Sequence, residues 1–326
     1  MMKKRIFAAF LAVLMLLTCV FSLSSCANGK QTVMTVGDYK VSYDMLRYFV
    51  MNYMNGYEGI SPEDFATDEH LQEQLYNNVI SSISELATYS LLADKHDIFL
   101  TRNEKKEIKN SIKDLRKSYE SKKEYKKDLE ANYMTEDLLE EIYTLNAKCD
   151  KLYDTLADEY YGIFKCDVET IDADIEAGNF FSAEYIVLYY TEENKQERKD
   201  ALQDILERAE SGEKMLDLSD EAFKTYGEHI AYELYPIFTY REKTEVFEET
   251  VISIDIGSYS DVVDTGNSFI IVRRLSLDMD YIDKNYNTVI AKYLSREFFG
   301  YVEDFAADLE VVFKEKYKDI KMWEME

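Results

Sequence analysis

The hydrophobic period of this chain changes at Gly178-Asn179, and that change limits its folds more than any other feature. Upstream, apolar residues return every three or four positions, the spacing of amphipathic helices. Downstream they come as short, dense runs of β-branched and aromatic residues, the composition of strands. Only 2 prolines occur in 326 residues, so little interrupts the helical half. Residues 33–36 and 40–41 read as short strands about a Gly37-Asp38 turn. Ser42 then caps a helix to about residue 55, with Leu46, Phe49, Val50 and Tyr53 on one face. Ser61-Pro62 opens another helix. Leu71, Leu75, Val79, Ile83 and Leu86 predict a long amphipathic helix over 68–94. Thr101 and Glu104 have capping-box spacing ahead of Ile108, Ile112 and Leu115, and Thr135 starts a helix carrying Leu138, Leu139, Ile142, Leu145 and Leu152. A short helix over 167–177 ends at Gly178. Then follow a strand at 183–190, helices at 194–211 and 215–226, and strands at 235–240 and 269–275, with Gly257 and Gly266 as turn points. Residues 281–307 return to helix and 309–313 predict a last strand. The fold class is α+β, a mostly helical body with a small α+β module in the order β-α-α-β-(α)-β.

Bulk charge and the N-terminus narrow the function. A formal net charge of −26 excludes nucleic acid as a partner, since binding it requires clustered cations. Lys3, Lys4 and Arg5 precede an apolar run from Ile6 to Phe21, shorter than the roughly 20 residues of a hydrocarbon span. Leu23-Ser24-Ser25-Cys26 follows and resembles a bacterial lipobox. That resemblance implies a signal peptide over 1–25, a lipid on Cys26, a tether over 26–32 and a place outside the cytoplasmic membrane. An ordinary signal peptide or a transmembrane anchor is the alternative. Cys149 and Cys166 remain, as a disulfide or as two separate buried thiols.

Chemistry-bearing motifs are sparse. His70, His96 and His229 are the only histidines and none stands in a triad pattern. Asp172, Asp174 and Glu176 have the spacing of a calcium loop, but Ala177 replaces its glycine and Ala183 its closing glutamate, so a solvated helix face is expected. Asp278, Asp280 and Asp283 fit a turn and helix N-terminus. No phosphate-binding glycine loop occurs, and neither metal nor cofactor is expected.

Several stretches together resemble the PrsA/SurA-type parvulin-containing foldase lipoproteins. Residues 33–42, Val-Met-Thr-Val-Gly-Asp-Tyr-Lys-Val-Ser, are similar to the family's opening strand pair. Residues 182–188 are similar to the parvulin first strand. Phe238-Thr239, Phe247 to Ile254, Gly257 to Val263 and Gly266 to Ile271 follow the family's later motifs in order. The resemblance covers essentially everything after Cys26. It implies a SurA-like chaperone domain from residues 33–180 and 278–326, with a parvulin-like domain, 181–277, inserted between them. The stripe Ile282, Val289, Tyr293, Phe298, Val302 and Phe305 needs such a partner, because an isolated helix is marginal in water.

The family's isomerase pocket holds two histidines and a Cys or Asp around an apolar proline site. Here the matching positions carry Tyr185, Ser268 and Tyr226, the pocket methionine falls on Lys243, and only Phe247 is kept. A lysine in an apolar pocket must keep its ammonium solvated or paired, which opposes proline binding. The resemblance therefore implies a degenerate site, with Phe247, Phe238 and Tyr185 as peptide contacts. The leading expectation is a chaperone for unfolded or nascent exported polypeptides, anchored through Cys26 on the outer face of the cytoplasmic membrane of a Gram-positive bacterium. An active peptidyl-prolyl isomerase and a solute-binding lipoprotein are the alternatives, and homodimerisation is left open.

Overall fold

The computed structural model describes residues 29–57 and 59–325. The expected signal peptide and Cys26 lie outside the described residues. Contacts divide the chain into two units, one of residues up to Thr155 together with those from Tyr301 onward, the other Leu156–Gly300.

The first unit begins with β1 (Thr32–Val36) and β2 (Tyr39–Ser42), an antiparallel pair turning at Gly37, whose φ is +52°. A side chain there is disfavoured twice, by that φ and by Leu309, which lies 3.0 Å from where a Cβ would stand. The last strand, β7 (Val311–Phe313), pairs antiparallel with β1, which brings the C-terminus back to this unit. Ser42 caps α1 (Tyr43–Gly56), its side chain accepting the Met45 N–H at 3.2 Å. Pro62 occupies the first turn of α2 (Pro62–Thr67). The expected stripe holds in α3 (Glu69–Lys95): Leu75, Val79 and Ile83 are fully buried, at roughly 1.5–3 kcal/mol each. Both halves of the Thr101–Glu104 box form at the start of α4 (Arg102–Ser118). A short helix absent from the sequence reading, α5 (Lys122–Ala131), follows; Tyr125 is its single buried residue, too little for a visible period. Thr135 opens α6 (Glu136–Leu156), accepting the Leu138 N–H.

The second unit contains α7 (Val168–Glu176), β3 (Phe180–Tyr189), α8 (Lys195–Glu210), α9 (Met215–Tyr226), β4 (Ile230–Thr239), α10 (Glu245–Ser253), β5 (Val263–Asp264), β6 (Ser268–Leu275), α11 (Met279–Lys284) and, up to Gly300, α12 (Tyr286–Ala307). Its antiparallel sheet has the order β4-β3-β6-β5. Alternation along β3 sends Ile186 and Leu188 to one face, against Leu202, Leu206 and Leu218 of α8 and α9. Ala183 and Val187 face the other way, with Phe247 and Val251 of α10. A third cluster joins Ile171, Phe180 and Ile237 to Ile282, Val289, Tyr293 and Leu294.

Strand β4 starts at Ile230, ahead of the expected 235, and takes in the Tyr232–Pro236 segment. An edge strand tolerates Pro236, because pairing slips by a residue between Phe181↔Phe238 and Ala183↔Tyr235. The single helix expected over 281–307 breaks at Asn285, whose side-chain amide donates to the Tyr281 carbonyl at 2.8 Å. Asp174 departs from the expected solvated face: it holds the buried Arg296 guanidinium through both carboxylate oxygens, at 2.8 and 2.9 Å. Cys149 and Cys166 are both free thiols. Among the described residues no helix is long and apolar enough to cross a membrane.

Candidate functional site

Two openings gather aromatic side chains, one in each unit. In the second unit a concavity of about 690 Å3 lies over the β3 face that carries Tyr185 and Val187. Tyr235, Val246, Phe247, Ser268, Ile270 and the 242–244 turn complete its walls. Phe247 is buried at its floor, edge-on to Tyr185 with ring centroids 5.0 Å apart, and 5.7 Å from both Tyr235 and Phe238. The hydroxyls of Tyr185 and Tyr235 stand 3.3 Å apart, and Tyr235 donates to Glu233 at 2.5 Å. Burial, then that hydroxyl contact, pushes the Tyr185 phenol far above its ordinary value. It cannot serve as a base at neutral pH.

Lys243 enters this opening with its Nζ 3.5 Å from the Tyr235 ring centroid. Burial is the largest influence on its ammonium and draws its pKa below the ordinary lysine value. The turn that carries it is clamped by carboxylates. Glu248 accepts the backbone N–H of Arg241 at 3.1 Å and of Lys243 at 2.8 Å, and Glu242 accepts that of Thr239 at 2.9 Å. Those bonds hold Arg241 at a φ of +69°, unusual for a residue with a Cβ. Ser268 is buried and its hydroxyl lies 2.6 Å from that of Thr265, so it is engaged within the wall.

Tyr185, Lys243, Phe247 and Ser268 line this one concavity, with Phe238 beside Phe247. Tyr226 does not join them. It ends α9 on the opposite face of the sheet, among Leu202 and its neighbours, with the Arg198 guanidinium 4.4 Å from its ring. Tyr235, Val246 and Glu242 line the concavity without having been singled out from the sequence. Tyr235 was legible only by extending β4 through 230–239, where its register opposite Ala183 sends it to this face.

In the helical unit, α1 and Asn78 of α3 border a groove of about 500 Å3 lined by Tyr48, Phe49, Asn52, Tyr53, Gly56 and Tyr57. The four aromatic rings are half-buried while Leu46 and Val50 fill the core beneath, so α1 is apolar well beyond the face it buries. Two hydroxyls are pinned: Tyr53 lies 2.8 Å from Ser82, and Tyr57 accepts from Asn78 at 3.1 Å. The sequence showed Phe49 and Tyr53 as an inward face; Tyr48 and Tyr57 were missed because the stripe is wider than a core requires.

Neither opening presents a nucleophile beside a base. His96 meets the Tyr301 hydroxyl at 2.8 Å, His70 lies beside Gln74, and His229 is exposed on a short turn. Among the described residues no group of three potential ligands could hold a metal ion.

No protein-family profile matches the chain, and no curated protein does. Among solved structures it is similar to the foldase protein PrsA of Streptococcus pneumoniae, at 17% identity and a TM-score of 0.32, over 79% of this chain and 91% of that one. It is similar to the peptidylprolyl isomerase PrsA of Bacillus anthracis, at 14% identity and a TM-score of 0.32, over 69% and 94%. It is also similar to a SurA-like chaperone of Campylobacter jejuni, at 10% identity and a TM-score of 0.30, over 87% and 99%. These are likenesses of fold at low superposition scores, and they leave the residues of each opening to be judged on their own geometry.

Proposed function

We propose that this chain is an extracytoplasmic holding chaperone, tethered through a lipid on Cys26, that shields exported polypeptides before they fold. One observation carries the reading: the groove of half-buried rings along α1. Aromatic side chains present large apolar faces to segments of any sequence, which suits clients of varied composition. A segment that buries about 400 Å2 of apolar surface there gains on the order of 10 kcal/mol. Association and ordering cost roughly 4–15 kcal/mol. The net is weak binding, so clients leave and fold. The net charge of −26 keeps a loaded complex soluble and favours basic clients at long range.

The concavity around Phe247 serves as a second peptide-contact surface. An isomerase reading has one point in its favour, the gathering of four of the implied pocket positions in one place. Against it stand Lys243 over Tyr235, the Tyr185 phenol locked in its protonated form and the engaged Ser268. Isomerisation must lower a barrier of roughly 18–20 kcal/mol, and an ammonium in the proline site works against the apolar contact that orients the ring.

Aggregation of an unfolded exported protein, with and without the soluble form 27–326, tests the reading. Suppression near equimolar ratio is expected, and no effect at any ratio overturns it. Palmitate labelling that disappears with Cys26→Ala tests the tether separately.

A further inference from the structure

Lys243 is a cation without a direct ion-pair partner in a chain of net charge −26. Among the described residues its ammonium makes no ion pair within 4.0 Å and no hydrogen bond; it lies over the face of Tyr235, with Glu242, Glu233 and Glu248 near enough to favour its charge without touching it. The nearby carboxylates keep their charge but bond other groups, so none bonds the ammonium directly. Glu233 takes the Tyr235 hydroxyl, Glu242 takes the Thr239 N–H and the Lys292 ammonium, and Glu248 takes two backbone N–H groups. The ammonium is half withdrawn from water and its N–H donors are left to the opening it lines. An ammonium so placed gains most from an arriving carboxylate, because charge-assisted hydrogen bonds are about twice as strong as neutral ones. Phe247, Val246 and Ile270 supply apolar wall in the same opening.

We propose that this concavity selects extended polypeptide in which an acidic side chain, Asp or Glu, meets Lys243 while an adjacent apolar side chain covers Phe247. The inference rests on the reading of the concavity as a peptide-contact surface and adds the chemistry that surface prefers. It also separates range from contact. The overall charge repels acidic segments at a distance, but salt screens that field beyond about 8 Å, and the Lys243 contact lies well inside it.

The test is fluorescence anisotropy of the full chain with acetylated, amidated peptides that differ only in Glu or Gln beside a Phe. The chain binds the Glu peptide about tenfold more tightly. Lys243→Gln brings the two together, and Lys243→Arg, which keeps the charge, retains the preference. Equal binding of both peptides by the unaltered chain overturns the inference while leaving the peptide surface standing. A preference that survives Lys243→Gln overturns it too, as does stronger binding of a Gln peptide carrying a free C-terminal carboxylate. Binding of neither peptide overturns the inference together with the reading beneath it.

Discussion

Replacing Asp174 with alanine should loosen the end of β4 that carries the Lys243 turn. Arg296 is only 8% exposed. It donates to both oxygens of Asp174, to Glu297 at 2.9 Å and to the Thr239 hydroxyl at 3.3 Å. Thr239 ends β4, and its own hydroxyl donates to the Asn179 carbonyl at 2.8 Å. Removing one partner of a buried ion pair costs about 3–5 kcal/mol, because the remaining charge is left uncompensated. Glu297 stays on the guanidinium, so the lower figure, about 3 kcal/mol, applies. That corresponds to about a hundredfold faster amide exchange where opening releases the strand. Hydrogen exchange read on the peptides spanning 230–244 is the assay. The single tryptophan, Trp323, belongs to the other unit and does not report. The double change Asp174→Leu with Arg296→Met, which removes both charges, should lie near the parent. An exchange rate raised less than about threefold by Asp174→Ala refutes the reasoning, since it makes this pair equivalent to an exposed one.

Further outcomes follow from the same structure. The Thr101 backbone N–H, then Lys151, holds the Glu104 carboxyl down to about 2, from an ordinary 4.5. Its contribution to the start of α4 is therefore complete above about pH 4.5 and is lost as the pH falls to about 2. Carbon-13 NMR of that carboxyl should titrate near 2, and a midpoint near 4.5 contradicts the capping geometry. Burial pushes the Cys149 thiol up to about 11, so iodoacetamide at pH 8 should leave it largely unmodified in the native chain. Both Cys149 and Cys166 should react once the chain is denatured, whereas a mass showing a disulfide contradicts two free thiols. Cis–trans exchange in a proline tetrapeptide, followed by NMR, should be unchanged by the chain. Acceleration that Phe247→Ala abolishes reverses the view of the concavity.

Period and caps made most elements legible. Ser42, Ser61-Pro62, Thr101 and Thr135 each open a helix where their side chains indicated, and the buried stripes of α3 and α6 follow the expected spacing. The fold class was legible as α+β for the same reason. Elements held by few contacts were not: α5 rests on Tyr125, and the early part of β4 has only one buried side chain, Ile230, before Ile237. Asp174 shows another limit, since a carboxylate on a helix looks solvated until a partner far along the chain is placed beside it. Tyr185 and Ser268 could be placed on one face by strand alternation; Phe247, on α10, and Lys243, in a turn, could not. Nor could Tyr226, since its place depends on which face of the sheet α9 packs against. The α1 groove was half legible, because surplus aromatic residues on a helix signal an extra contact without saying which core residues lie beneath.

The claim that the α1 groove holds unfolded polypeptide is tested most directly by a photo-crosslinking residue installed at Tyr53. With an unfolded exported protein present, light should join the two chains at that position, and the product should vanish when the client is folded beforehand. Crosslinks that form equally well with the folded client, or none at Tyr53 while suppression of aggregation persists, contradict the account.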